Sequence, residues 1–342
     1  MSDTPPALLV ALPKSEQIDA LVREILPDTP WAYLDLNRPA DWRSVRAMLV
    51  EDLRHEFASF DSRTTPGLQF VQEIWTGLDR FPFERFPASV AVAGNVGGFA
   101  PYVAEHAIAL ALSAARDFHT AQVMIGAGRL RPSPHERSLV GATAVVLGYG
   151  VIGRAIAERL APFEARAVGL NRTGTPARGA AEMFPASRLT EALRAGSFVF
   201  DVRPLTRATV ATIGKAELAA MQPTAVLVNV GRAGTVDQTA LYEHLQTHPE
   251  FRAAFDVWWE EDHVRGTITS HHPFARLPNF YGTPHCADAF AAAKRRALRM
   301  ALDNLARFFR DGRPQFVVDR AEYEGISQRE DSLGPTPGEP GS

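Results

Sequence analysis

The stretch AVVLGYGVIGRAIAERL, residues 144–160, decides the fold. An apolar strand pattern runs into Gly148, Gly150 and Gly153, spaced G-x-G-x-x-G, and an amphipathic helix pattern opens directly behind them. Each glycine has a mechanical reason. Gly148 permits a tight turn, Gly150 lets the main chain approach a pyrophosphate, and Gly153 lets helix and strand pack closely. The N–H groups of Val151 and Ile152 then stand at the positive end of a helix, where phosphate is favoured. The motif alone is weak, but strand, turn and helix in this order read as a dinucleotide loop rather than an unliganded turn.

Working outward, apolar runs of strand length alternate with helix-length amphipathic stretches, which points to α/β architecture with parallel sheets. Ahead of the loop, ALLVAL (7–12) precedes a helical pattern opened by Ser15 as N-cap; AYLDL (32–36), LQFVQEI (68–74) and SVAVAG (89–94) are further strand candidates. Residues 101–126 read as one long, well-buried helical region, and 129–141 as a basic, Pro-containing loop. Behind the loop come ARAVGL, FVFDV, AVLVNV, AAFDVW and FYGTP, with helical stretches between several of them. A helix pattern runs from Asp288 to about Arg310, and the Pro/Gly/Ser-rich tail 331–342 is expected to be disordered. No internal repeat is found.

The chain of 342 residues is long for one domain, and two are expected. A net charge of -3 gives no sign of nucleic-acid or anionic-membrane partners. The lone Cys286 rules out intrachain disulfides and suits a reducing cytoplasm. No signal-peptide order and no membrane-length apolar run are present, so a cytoplasmic protein is expected.

The strand of RAVGLNRTG (166–174) ends where a dinucleotide fold often holds the ribose of NAD with Asp or Glu. Asn171 stands there, 18 residues after Gly153, followed by Arg172 and Thr173. Asn removes the repulsion of a 2′-phosphate, and Arg172 offers a fork of donors suited to one. This favours NADP(H) over NAD(H); the alternative is a solvated Arg172 beside an NAD site.

Three more motifs follow in order: VLVNVGRAGTVDQTAL (226–241) with Arg232, AAFDVWWEED (253–262) with Asp256 and an acidic cluster, and PNFYGTPHCADAF (278–290) with His285. All fall at strand ends, where open α/β sheets bind ligands. Singly, each is more often structural or solvated. Together with PLTRAT (204–209), their order and spacing resemble the D-isomer-specific 2-hydroxyacid dehydrogenase family over roughly residues 68–318; the N-terminal third matches mainly through TGLD (76–79) and YVAEHAIAL (102–110).

The resemblance implies a Rossmann-type doubly wound dinucleotide domain (103–286) inserted into a smaller flavodoxin-like α/β substrate domain (1–102 and 287–330). It implies hydride transfer between a nicotinamide cofactor and a 2-oxo or D-2-hydroxy acid. His285 is the expected acid/base, since unperturbed histidine titrates near neutrality. Glu261 would fix its tautomer and raise its pKa, and Arg232 would bind the substrate carboxylate and polarise the carbonyl. Asp256 corresponds to the residue that accepts from the nicotinamide carboxamide, and the turn at Thr76 and Gly77 to the loop that holds the substrate carboxylate. Val230 and Thr209 match cofactor contacts, while Arg203 and Pro204 fall at the adenine end. Arg203 is read either as a helper for the 2′-phosphate or as an exposed side chain. No metal is expected. The family's members are typically dimers, with 101–126 a candidate interface.

The chain departs from the family in places. Asp262 stands where Pro usually follows the paired Glu, leaving Glu260 or Glu261 as the partner of His285. The Trp common before the glycine-loop strand is missing from GAGRLRPS (126–133). Trp258 and Trp259 would place aromatic bulk near the active-site mouth, so a substrate larger than the smallest oxo acids is expected. His271 and His272 read as surface residues; Cys286 reads as a small packed residue in a helix-entry turn, with a reactive thiol beside His285 as the alternative. Formate- or phosphite-type dehydrogenases share the fold; the formate type pairs its histidine with Gln. A nucleotide-sensing protein without turnover is the competitor from another class.

Overall fold

The computed structural model describes residues 5–35, 42–51, 60–130, 137–263 and 265–326. The expected tail at 331–342 and part of the expected loop at 129–141 lie outside them. The chain divides into two compact units. One contains the residues up to Asn95, 206–208, and those from Arg299 on; the other contains Val96–Leu205 and Thr209–Leu298.

In the first unit, β1 (Leu8–Ala11), α1 (Glu16–Ile25), β2 (Trp31–Tyr33), β3 (Ala47–Val50), β4 (Phe70–Glu73) and β5 (Ala91–Ala93) follow in sequence. The strands form a parallel sheet ordered β2-β1-β3-β4-β5, the flavodoxin-like order. Strands β1, β3 and β4 are buried along their whole length, as parallel strands covered on both faces must be. Ser15 caps α1 as expected, its hydroxyl accepting the N–H of Ile18 at 3.2 Å. Strand β3 had no counterpart among the strand candidates.

The second unit contains α2 (Ala100–Arg116), α3 (Phe118–Gly126), β6 (Thr143–Leu147), α4 (Val151–Leu160), β7 (Arg166–Asn171), β8 (Glu182–Pro185), α5 (Leu189–Ala195), β9 (Phe198–Asp201), α6 (Lys215–Ala220), β10 (Val226–Asn229), α7 (Gln238–Thr247), β11 (Arg252–Phe255), the hairpin β12 (Glu260–Asp262) and β13 (Thr267–Thr269), and β14 (Phe280–Gly282). Helix α8 (Ala291–Asp311) contains the division after Leu298. The sheet order is β14-β11-β10-β9-β6-β7-β8, parallel throughout. It therefore runs one way from β6 to β8 and the other way from β9 onward. That reversal between β6 and β9 is the switch point at which doubly wound sheets bind ligands. Val145, Leu147, Val199, Leu227 and Phe255 are buried on this sheet within one apolar cluster.

The single helix expected over 101–126 is in fact two. Asp117 takes a left-handed conformation (φ 54°) between α2 and α3. Its carboxylate accepts the Tyr281 hydroxyl at 2.8 Å and the N–H of Thr120 at 3.3 Å, and it faces Arg252 at 3.4 Å. The end of α2 is thus tied to β11 and β14. Only α2 is well buried; α3 has no buried residue, and Val123 and Ile125 are 62% and 69% exposed. Among the described residues no helix is long and apolar enough to cross a membrane.

Candidate active site

The glycine loop sits at the switch point of the second unit. Gly148 has φ +90°, and a Cβ there would stand 3.1 Å from the main chain of Arg203, which follows β9. At Gly153 a Cβ would fall 2.5 Å from the Gly148 carbonyl oxygen and 3.0 Å from the Val146 side chain. Helix α4 therefore approaches its strand as only glycine allows. Gly150, by contrast, faces open space and caps α4 without a side chain. The first-turn N–H groups of a helix lack intrahelical acceptors, and here they meet a surface cleared of Cβ atoms. These residues fit a dinucleotide pyrophosphate.

At the end of β7, Asn171 folds its own loop. Its Oδ1 accepts the N–H groups of Gly174 (2.7 Å), Thr173 (3.2 Å) and Thr175 (3.2 Å), and its Nδ2 donates to the Thr175 carbonyl at 2.9 Å. The Asn carbonyl is therefore engaged by its own loop, and its effect is to shape Arg172–Thr175. Arg172, Thr173, Thr175 and Arg178 are all exposed here, which gathers two guanidinium groups and two hydroxyls on one short loop.

The segments after β9 and β10 are locked together. Asp201, fully buried, takes two hydrogen bonds from the Arg203 guanidinium (2.9 and 2.6 Å) and one from the Thr235 hydroxyl (2.9 Å). Arg203 also donates to the Thr212 hydroxyl at 2.9 Å. The exposed reading of Arg203 is thus corrected. Its charge is also neutralised by a buried carboxylate, which removes the ground for a role on a 2′-phosphate; its main chain and the stem of its side chain are what meet the glycine loop. Pro204 is exposed, and its carbonyl accepts the Thr209 hydroxyl at 2.7 Å. Val230 is buried, its N–H donating to the Asp201 carbonyl at 3.2 Å. Arg232 stands half-buried in extended conformation, its carbonyl accepting from Asn229 Nδ2 (3.0 Å) and the Thr235 hydroxyl (2.8 Å).

Asp256, just past β11, organises the turn that carries His285. Its Oδ1 accepts the Thr283 hydroxyl (2.6 Å) and the Cys286 N–H (2.9 Å), and its Oδ2 accepts the Ala287 N–H (3.0 Å). His106 of α2 lies 3.3 Å from Oδ1 and 3.0 Å from the Thr283 hydroxyl. Burial opposes ionisation of Asp256, but the bonds from His106, Thr283 and the two N–H groups outweigh it and bring its pKa down to about 2. His106 and Thr283 escaped sequence reasoning, because only the packing of α2 on β11 and β14 brings position 106 to position 256. Cys286 is partly buried, and burial together with Asp256 raises its thiol pKa.

The Glu partner is Glu261. Its Oε2 accepts from His285 Nδ1 at 2.9 Å, while Glu260 accepts from the Thr269 hydroxyl and pairs with His271 at 3.0 Å. Successive residues of β12 point to opposite faces, so only one of the two acids turns inward. Glu261 Oε1 accepts the Trp258 N–H at 2.8 Å, and His263 Nε2 stands 3.2 Å from the same Oε2 that meets His285. Burial disfavours the Glu261 carboxylate, but the bonds from His263, His285 and Trp258 hold its pKa well below the usual range. For His285, burial disfavours the charged ring and Arg232 repels it; the hydrogen bond and charge of Glu261 win, and its pKa is raised. His285 itself has φ +50°, a strained conformation for a residue with a side chain, secured by its N–H on the Asp256 carbonyl at 2.8 Å.

The tandem tryptophans pack inward, against expectation. Trp258 donates to the Thr283 carbonyl at 2.9 Å and Trp259 to that of Val236 at 2.8 Å; Trp259 stacks on Phe274 at 5.0 Å. A Cβ on Gly282 would meet the Trp258 ring at 2.9 Å. These rings brace the turn and the core, so they give no ground for expecting a bulky substrate. His271 is half-exposed as expected, whereas His272 stacks on Tyr242 at 4.6 Å.

Thr76 and Gly77 belong to the first unit, in the loop after β4. Buried Glu73 accepts the N–H groups of Ile74 and Trp75, the Thr76 hydroxyl donates to the Asn95 carbonyl at 3.0 Å, and Asn95 Nδ2 donates to the Ile74 carbonyl at 3.0 Å. The loop is thereby held beyond the carboxyl end of its own sheet.

Residues 108–287 match the model of the D-isomer specific 2-hydroxyacid dehydrogenase NAD binding domain. The chain is 31% identical over 265 residues to a glyoxylate reductase of Aeropyrum pernix, covering 75% of this chain and 77% of that one. A solved Pyrobaculum aerophilum chain provisionally assigned as a formate dehydrogenase superposes with a TM-score of 0.78 at 29% identity, over 92% of this chain and 99% of that one. The NADPH-dependent glyoxylate/hydroxypyruvate reductase of Sinorhizobium meliloti, solved with NADP and malonate, gives 0.69 at 26% identity, over 93% and 98%. Sequence order, sheet topology and these matches agree: the chain belongs to the D-isomer specific 2-hydroxyacid dehydrogenase family, oxidoreductases of hydroxy acids that use a nicotinamide cofactor.

Proposed function

We propose that the protein is an NADP(H)-dependent reductase of 2-oxo acids, acting between a 2-oxo acid and its D-2-hydroxy acid. The observation that carries the reading is the Glu261–His285 contact of 2.9 Å beside the charge of Arg232. In reduction, His285 Nε2 gives its proton to the carbonyl oxygen while Nδ1–H stays on Glu261, which stabilises the charged ring beforehand. Arg232 holds the substrate carboxylate and draws electron density from the carbonyl. The Thr76–Gly77 loop of the first unit offers main-chain donors of the kind a carboxylate takes. Gly148, Gly150 and Gly153, with the N–H groups of Val151 and Ile152, hold the pyrophosphate. Asn171 shapes the loop from which Arg172 and Thr173 hold the 2′-phosphate. Pro204, Thr209, Val230 and the main chain of Arg203 line the remaining cofactor surface, and Asp256 accepts from the nicotinamide carboxamide. When bound, the nicotinamide supplies the hydride. Residues 103–286 serve as the dinucleotide domain, 1–102 and 287–330 as the substrate domain. Two copies pair through the exposed apolar side chains of α3.

A formate dehydrogenase is the second reading, suggested by the Pyrobaculum aerophilum relative. Glu261 opposes it, since the formate type sets Gln against its histidine. Phosphite oxidation keeps the Glu–His pair and is decided by assay. The expected result is reduction of glyoxylate, hydroxypyruvate or a related 2-oxo acid, faster with NADPH than NADH, and no oxidation of formate or phosphite. Arg172→Ala is expected to weaken NADPH by about 10- to 100-fold, as for loss of a charged hydrogen bond, and to leave NADH nearly unaffected. An equal effect on both cofactors would remove Arg172 from the phosphate site.

A further inference from the structure

We propose that Glu261, His263 and His285 also form a site for a divalent cation of zinc's chemistry, and that filling it switches the acid–base pair off. The three side chains already converge. Glu261 Oε2 lies 2.9 Å from His285 Nδ1 and 3.2 Å from His263 Nε2, and all three ligand atoms lie within 4.8 Å of one another. A tetrahedral zinc ion with bonds of about 2.0–2.1 Å sets neighbouring ligand atoms roughly 3.3 Å apart. The hydrogen-bonded spacing thus becomes a coordination spacing with small side-chain shifts.

The donor set is suitable too. Two imidazoles and one carboxylate form a known zinc triad that leaves a fourth position for water. Glu261 is steadied by the Trp258 N–H on its other oxygen, the kind of outer contact that orients a metal ligand. His263 is 49% exposed, so a cation has a way in from solvent. Arg232 repels a cation near His285, and Asp256 attracts one; Glu261 supplies the charge within the site itself. The distinguishing residue is His263, which lies in the segment after Glu261 where the chain departs from the family pattern.

The effect on the ring follows from its valence. An imidazolium carries protons on both nitrogens. With Nδ1 on a cation, His285 cannot form that species, and a proton left on Nε2 becomes a much weaker acid. Reduction then loses its proton donor although the fold and the cofactor loop are untouched.

The inhibitory consequence rests on the function proposed above; cation binding does not. The test uses the whole protein, stripped with a chelator. Zn2+ is titrated against a chromophoric chelator, Co2+ serves as a spectroscopic probe of tetrahedral geometry, and 2-oxo acid reduction is followed with and without Zn2+. We expect one tight Zn2+ per chain, a tetrahedral Co2+ spectrum and loss of reduction that a chelator restores. His263→Ala should weaken Zn2+ by more than about 10-fold, since even outer partners of a ligand are worth that much. Cys286→Ala, which takes the thiol from the neighbouring His106, Asp256 and Cys286 group, should leave binding intact. Unchanged binding in His263→Ala, or its loss in Cys286→Ala, overturns the site. Tight binding with no loss of reduction overturns the switch. A protein that reduces no 2-oxo acid but binds Zn2+ through His263 would contradict the proposed function and leave the site standing.

Discussion

Replacing His285 with Ala lowers the rate of 2-oxo acid reduction by about 10^2- to 10^4-fold, the range that general acid–base catalysis contributes. Cofactor affinity stays nearly unchanged, because the glycine loop and the Asn171 loop lie on other strands. The substitution also has a backbone consequence. Residue 285 sits at φ +50°, where Asn is tolerated far better than most residues with a side chain. His285→Asn therefore keeps the turn with no proton to give, and should match His285→Ala in rate while melting closer to the parent. Fluorescence titration with NADPH and single-turnover reduction measure the two quantities separately. Full turnover in either folded variant would take His285 out of the mechanism.

The second large effect is expected from Glu261→Gln. Gln keeps an acceptor for the Trp258 N–H but removes the charge that raises the pKa of His285. The sign is fixed by which form works. Reduction needs the protonated ring, so its rate is present below the raised pKa and lost as pH rises through it. Without the Glu261 charge, that loss moves to lower pH. At neutral pH reduction should fall roughly 10- to 100-fold, part of what general acid–base catalysis supplies. The alkaline limb of the reduction profile, measured in chelator-treated buffer, should shift towards acid. A profile with an unmoved limb would mean that Glu261 does not set the proton affinity of His285.

Much of this was legible in the sequence because strand ends and glycines are local signals. The glycine loop announces its own turn, and the structure gives two of its glycines a steric reason: a left-handed φ against Arg203 at Gly148 and a main-chain contact at Gly153, while Gly150 faces open space. Ser15 read as a cap and is one. Other features depended on distant partners. The break at Asp117 is invisible in an apolar helical run, since its cause is Tyr281 and Arg252 on the sheet. Arg203 reads in the sequence as either a 2′-phosphate helper or an exposed side chain, because sequence alone does not reveal that the Asp201 side chain folds back onto it inside the core. Whether Glu260 or Glu261 meets His285 was set by the β12–β13 hairpin, whose register orients the two acids oppositely. The tryptophans misled for a related reason: bulk after a strand end can turn inward, here into the space left by Gly282. The short strand β3 and the hairpin carried too little pattern to be separated from loop.

The most direct test of the central claim follows the hydride itself. The protein is incubated with a 2-oxo acid and NADPH deuterated at C4 of the nicotinamide, and the product is analysed by chiral chromatography with mass detection. The account predicts a D-2-hydroxy acid carrying deuterium at C2, formed by the parent protein and nearly absent with His285→Ala. An L product, a product without deuterium, or no reduction of any 2-oxo acid while NADPH binds tightly would contradict it.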